Sequence, residues 1–310
     1  MGGGERENQE DAREKSEVAK GDRGRCALCG QHRTLADSHI VPRFAGRWLI
    51  ESSATGYLRD AVTPNRRKQD IEKRPLLCKD CEATLSRDER PFADRLFHPY
   101  TRGHLTLPAT YESWALRFVV SLSWRLLAAD LEEFAARHPQ WATLARHAER
   151  QWRLFVLGEP DPGEWSHHIF LCHPDCFRSD EPLSQKLPWY IFRGVDGAVV
   201  CTPDELFVFS NLCGIMAFSC LAPPRPDGLE GTQLSSRGTI PGTQVIDWPP
   251  LNGFLVHRVK QVFGQPLSAT QNRLIEASVR QHFDRVTASD DARIWRLSLH
   301  PAPEVTSEGR

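Results

Sequence analysis

Apolar positions recur every three to four residues from Tyr111 through Trp114, Ala115, Phe118 and Leu122 to Leu126. That spacing predicts an amphipathic helix of about six turns, at ~3.6 residues per turn. A second helix is predicted to begin near Pro139, with Trp141, Leu144, Ala148, Trp152 and Phe155 on one stripe. Arg146, Arg150 and Arg153 lie on its other side, as a solvated face or a further phosphate contact. From Trp165 the pattern shortens to strands. Residues 167–172 form one, and residues 189–193 and 198–201 flank a turn at 194–197 as a hairpin. Residues 206–222 are nearly continuous apolar sequence around Gly214, which predicts two buried strands and falls short of a membrane span. Residues 223–253 are rich in proline and glycine and read as a long loop. Ser268 is placed to cap a last helix with Leu274, Ile275, Val279, Phe283 and Val286 facing inward.

The N-terminal third has a different texture. Residues 1–22 are dense in charge and lack periodic apolar positions, so they read as a disordered tail. Residues 35–48 suit a short hairpin followed by a helix start, and Pro42 limits the strand before it. Residues 56–73 are polar and basic and predict an exposed loop or ribbon. Residues 82–88 predict a short helix. Pro91 opens another, with Phe92, Leu96 and Phe97 on its buried side.

Charge sharpens this division. The chain of 310 residues carries a net charge of −1, yet residues 23–103 alone sum to +6. A basic segment inside a slightly acidic protein is the pattern expected where that segment meets phosphate. The first residues are charged and lack an apolar signal core, and nine cysteines is an odd number. Both favour a reducing, cytoplasmic setting over a disulfide framework.

The cysteines carry the strongest signal. Cys26-Ala-Leu-Cys29 and Cys78-Lys-Asp-Cys81 are two Cys-x-x-Cys pairs at the ends of one segment. Each pair presents two thiolates from a tight knuckle, and together they suit one tetrahedral Zn2+ with a structural role. Between them lies Asp37-Ser38-His39-Ile40-Val41-Pro42.

The order Cys-x-x-Cys, then His-Ile-x-Pro, then Leu-Leu-Cys-x-x-Cys resembles the HNH (ββα-metal) endonucleases that carry a zinc-knuckle pair. The resemblance covers residues 25–100, about a quarter of the chain. It implies a hairpin and a helix around a divalent metal. The family's first histidine, the general base, falls on His39. The preceding metal-binding aspartate is Ser38 here, with Asp37 one place earlier. Glu82 stands in the slot of the last histidine, a metal ligand. The middle asparagine is missing before Leu76-Leu77, and the nearest candidate is Asn65. On this reading Glu82 and Asp70, or Glu89, would hold Mg2+ or Mn2+ for catalysis. Arg43, Arg66, Arg67 and Lys68 would meet the nucleic acid, DNA ahead of RNA.

His167, His168, Cys172, His173 and Cys176 crowd ten residues, where a core strand with incidental His and Cys competes with a second zinc. Cys201, Cys213 and Cys220 read as small buried hydrophobes. No glycine-rich phosphate loop, dinucleotide fingerprint or nucleophile elbow occurs.

The expectation is an α+β protein. A charged tail (1–22) precedes an HNH-like zinc module (23–103). A helical then β-rich part (104–300) recognises a substrate, a protein partner or a trigger, and a loose tail (301–310) follows. The expected function is metal-dependent phosphodiester cleavage of nucleic acid with no membrane role. The alternative is a non-catalytic zinc module that binds nucleic acid or protein.

Overall fold

The structure, a computed structural model, describes residues 23–60, 63–173 and 182–284. The expectations for residues 1–22, Cys176, Val286 and residues 301–310 lie outside these. The fold is mixed helix and sheet, as the α+β reading requires.

The chain opens with β1 (Arg23–Arg25) and β2 (His32–His39), then α1 (Arg43–Glu51). A two-stranded ribbon follows, β3 (Leu58–Arg59) with β4 (Arg67–Lys68). Next comes β5 (Lys73–Cys78), which runs straight into α2 (Lys79–Phe92). Strands β1, β2 and β5 form one antiparallel sheet in that order. The β2–β5 register slips between Ala36 and Asp37, leaving Leu76 with no residue opposite. Ser38 repairs the slip: its buried hydroxyl accepts from the Leu77 N–H at 3.1 Å. The Leu76 carbonyl, freed from the ladder, accepts from Ala27 N at 3.0 Å and ties the first knuckle to β5.

Pro91 does not start a new helix. Helix α2 runs through it and continues as a π-turn (Ala93–Phe97) into α3 (His98–Thr101). Pro91 has no N–H to complete the α-helical ladder, and the widened turn absorbs the defect.

Then come β6 (Ala109–Tyr111), α4 (Ser113–Arg137) and α5 (Ala142–Leu157). The stripe expected for α5 is present, with Ala145, Ala148, Trp152 and Phe155 buried. Helix α4 is buried nearly all round, on Phe118, Val119, Val120, Leu122, Trp124 and Leu127, so it sits at the centre of the molecule.

The remaining elements are β7 (Ser166–Leu171), α6 (Pro182–Phe192), β8 (Val195–Cys201), β9 (Leu206–Leu212), β10 (Ile215–Ala222), β11 (Gly238–Ile240), α7 (Pro249–Phe263) and α8 (Ala269–Gln281). A four-stranded antiparallel sheet has the order β7-β10-β9-β8. The two strands expected around Gly214 are its centre. Cys213 and Gly214 make the turn at φ 53° and 101°. Alternate residues of β9 face opposite ways. Leu206, Val208 and Leu212 join the core shared with α4, while Phe207 and Phe209 join Trp248 and Leu251 beneath α7. Both faces are covered, which explains the unbroken apolar run.

Three expectations need correction. Residues 189–193 are helical and not the first strand of a hairpin, so β8 pairs with β9 instead. The cause is distant: buried Asn211 donates from Nδ2 to the carbonyls of Tyr190 (2.9 Å), Ile191 (2.9 Å) and Gly194 (3.2 Å) and ends the helix. Residues 223–253 are not all loop, because β11 pairs with β6 and α7 begins at Pro249. Helix α8 carries the expected Ser268 cap, accepting from Gln271 N at 3.2 Å, but buries no residue. Leu274 is 43% exposed and Phe283 63%.

The histidines of β7 belong to the core. His167 Nδ1 meets Ser219 Oγ at 2.7 Å, and His168 lies between Thr232 Oγ1 and Ser166 Oγ, both at 2.8 Å. Burial depresses both, His167 to about 3 and His168 to about 4. Folded, they stay neutral where an unfolded chain would take protons. The stability this contributes is full above their ordinary value and is lost as pH falls toward those lower values. Urea midpoints should therefore fall between about pH 7 and about pH 5, by up to ~1.4 kcal/mol per pH unit for each histidine. A His167→Gln/His168→Gln protein should show a flatter dependence.

Among the described residues no helix is long and apolar enough to cross a membrane. The boundary placed after residue 103 marks a change in sequence pattern and no gap in packing. Leu28, Leu77 and Phe92 share one buried cluster with Phe118, Trp152 and Ile215.

Candidate metal centre and the histidine beside it

Cys26 and Cys29 flank the turn after β1. Cys26 N donates to Gln31 O and Gly30 N to Cys26 O, both at 2.9 Å. Gly30 holds φ +74°, a conformation that favours glycine. Cys78 ends β5, and Cys81 lies in the first turn of α2. The four Sγ atoms lie within 4.8 Å of one another. Cys29 and Cys78 sulfurs are 4.0 Å apart, and Cys78 N donates to Cys26 Sγ at 3.3 Å. A tetrahedral zinc with Zn–S near 2.3 Å needs sulfurs about 3.8 Å apart, so this set can hold a metal ion such as zinc.

The thiols are unequal. Burial raises Cys26, but backbone N–H groups of Cys29, Cys78 and Leu28 outweigh it and bring the thiol down to about 7. Burial pushes Cys29 and Cys81 up. A cation would draw off their protons on binding.

His39 is the last residue of β2, half-buried. Its Nε2 lies 3.0 Å from Asp70 Oδ1, while Asp70 Oδ2 lies 2.6 Å from Lys73 Nζ. Burial raises the Asp70 carboxyl, but Lys73 and His39 outweigh it and hold the group at about 2. An ionised carboxylate only accepts, so His39 Nε2 carries the proton and donates it. Nδ1 is then the lone-pair nitrogen. Among the described residues Nδ1 has no hydrogen-bond partner, and it is not one of the atoms sealed from solvent. The arrangement is an oriented imidazole with an open basic nitrogen.

The backbone of His39 is held as firmly. Arg125 of α4, 3% exposed, donates from Nη1 to His39 O at 3.2 Å and lies 2.8 Å from Glu89 Oε1 of α2. Sequence reasoning missed this residue. An arginine inside the apolar run of α4 was the available signal, since buried arginine needs partners. Gly46 of α1 completes the support, because a Cβ there would lie 2.7 Å from Ile71 Cγ2, beside Asp70. Gly46→Val is therefore expected to destabilise the protein by roughly 2 kcal/mol through overpacking, read as a lower urea midpoint.

The other sequence candidates are dispersed. Glu82 Oε1 is buried and has no hydrogen-bond partner among the described residues. It forms no metal-competent group with Asp70 and His39, and the four cysteines are the set that does so among the described residues. Both Asp70 oxygens are already engaged. Asn65 is remote in role: its Oδ1 accepts from Ser268 N at 2.7 Å at the start of α8. Arg66 and Arg67 are exposed, Arg67 lying 4.3 Å from the Tyr57 ring centroid, and Lys68 pairs with Asp60. Arg43, exposed at the start of α1, lines a cleft of about 310 Å³ with Arg47, Glu89 and Arg90.

Comparison with protein-family models, curated proteins and solved structures found no match to the chain.

Proposed function

We propose that the chain is a nucleic-acid phosphodiester hydrolase of the HNH kind, with zinc on Cys26, Cys29, Cys78 and Cys81 and His39 as general base. The observation that carries the reading is the His39–Asp70 pair with Nδ1 left open. The order β2, β5, α2 around His39 supports it, since hairpin-then-helix is the arrangement the resemblance implies. His39 Nδ1 takes a proton from water, the resulting hydroxide attacks phosphorus, the P–O3′ bond breaks, and the 3′ oxygen leaves as an alcohol on taking a proton from solvent. Asp70 stabilises the imidazolium so formed. The resemblance also implies a divalent cation. No step is routed through it, because both Asp70 oxygens are engaged by His39 and Lys73.

The engagement of both Asp70 oxygens is the observation favouring a second reading, a zinc-held binding module without catalysis. Plasmid DNA and structured RNA should be offered to wild type and His39→Ala, with Mg2+ or Mn2+ supplied and with both withheld. Zinc content is measured in each protein. The hydrolase reading expects cleavage that falls by about 10²- to 10⁴-fold in a zinc-replete His39→Ala protein. A zinc-replete wild type that cuts neither substrate under any cation would move the conclusion to the binding module.

A further inference from the structure

The cleft between α1 and α2 contains more positive charge than the fold uses. Arg43 and Arg47 stand one turn apart on α1, both exposed, and neither has a hydrogen bond or ion pair with any described residue. Helix α1 has no acidic residue in its first turn, so its macrodipole opposes these cations instead of balancing them. Arg90 enters from α2 and meets only Asp94, at 3.6 Å and largely in solvent. Of the two carboxylates in the wall, Glu89 is already paired with Arg125. Glu51 is then the one carboxylate of the wall left to face Arg43 and Arg47.

The rest of the wall suits a nucleotide better than an acidic peptide. Phe44, Trp48 and His98 line the same cleft, and His98 Nδ1 is buried with no partner among the described residues. Guanidinium groups beside aromatic rings bind a backbone phosphate and the base or sugar attached to it. The volume of about 310 Å³ lies at the small end of ligand sites, the scale of one nucleotide unit. The location is also informative. Glu89 in the wall and the His39 carbonyl are held by the same Arg125 nitrogen, so the cleft wall and the backbone of His39 share one support.

We infer that this cleft is a phosphate-binding site, in which Arg43, Arg47 and Arg90 seat one nucleotide of the substrate backbone. The inference rests on the nucleic-acid reading above and gives it a docking point.

The test is binding of a fluorescent DNA hairpin, followed by anisotropy over a range of salt, to full-length zinc-loaded protein. Arg43→Gln/Arg47→Gln should weaken binding by roughly 10-fold and lower the salt slope by about two. Arg43→Lys/Arg47→Lys keeps the charge and should keep the slope. Unchanged affinity and slope in the Gln/Gln protein would overturn the cleft assignment and leave the hydrolase reading intact. A wild type that binds no nucleic acid would remove the hydrolase reading instead, and inorganic pyrophosphate titrated into the same proteins then decides. Saturable binding to wild type that the Gln/Gln protein loses keeps the cleft as a phosphate site. Equal behaviour of the two proteins ends the proposal.

Discussion

Cys78→Ser is expected to release the bound metal and to lower the melting temperature by on the order of 10 °C. The thiol lies within 4.8 Å of three others, and the residue is 2% exposed, so no water can substitute for it freely. Its own N–H donates to Cys26 Sγ, which ties the two knuckles even before a metal is counted. A serine oxygen on a shorter arm is a poor fourth ligand for a thiolate-preferring ion. The effect should spread beyond the knuckle, because Cys26, Cys78 and Cys81 belong to the same buried cluster as Phe92, Phe118 and Trp152. Elemental analysis should find about one zinc per wild-type chain and almost none in the variant. Cys201→Ser, far from this set, is the control and should keep its metal. Equal zinc and equal melting in Cys78→Ser would mean that the four thiols are merely buried neighbours.

His39→Ala and Asp70→Asn are expected to separate chemistry from support. The first removes the base and, on the proposed reading, costs about 10²- to 10⁴-fold in cleavage. The second keeps the size of the side chain and removes the charge that balances the imidazolium. A loss of about one to two orders of magnitude is expected, with DNA binding unchanged. Asp70 should also declare itself in acid. Its carboxyl is held at about 2, below the ordinary 3.8, so its contribution to stability is full above the ordinary value and disappears as pH falls toward the lower one. The difference in urea midpoint between wild type and Asp70→Asn should therefore narrow as the pH is taken from about 6 to about 3. A constant difference would point to lost packing alone.

What could be read from the sequence was local. The cysteine knuckles, the Gly214 turn and the Ser268 cap each depend on a few adjacent residues, and each is present. What could not be read depends on residues far apart. Asp70 lies 31 residues from His39, and nothing in their spacing shows that its carboxylate orients the imidazole. Arg125 reaches His39 across 86 positions, and no periodicity links the two. Residues 189–193 carry strand-forming side chains, but the carbonyls at their end are satisfied by Asn211, which favours the helix. Ser38 looked like a loss from the family pattern, and it is the hydroxyl that a slipped register needs. The inward face expected for α8 failed for a related reason. An amphipathic pattern states that a face can be buried, and only the neighbours decide whether it is.

The ring of Phe92 lies 3.6 Å from that of Phe118, nearly parallel at 14°, and Phe44, Phe97 and Trp114 crowd the same spot. The joint between the four-cysteine unit and α4 is thus a continuous aromatic contact. A fragment ending at residue 103 would carry its knuckles above a bare aromatic floor, with the strand bearing His39 released from Arg125. The unit is no portable cassette. Anyone grafting it onto another protein, or expressing it for labelling or crystallography, should carry α4, α5 and the four-stranded sheet with it, because all share its buried cluster.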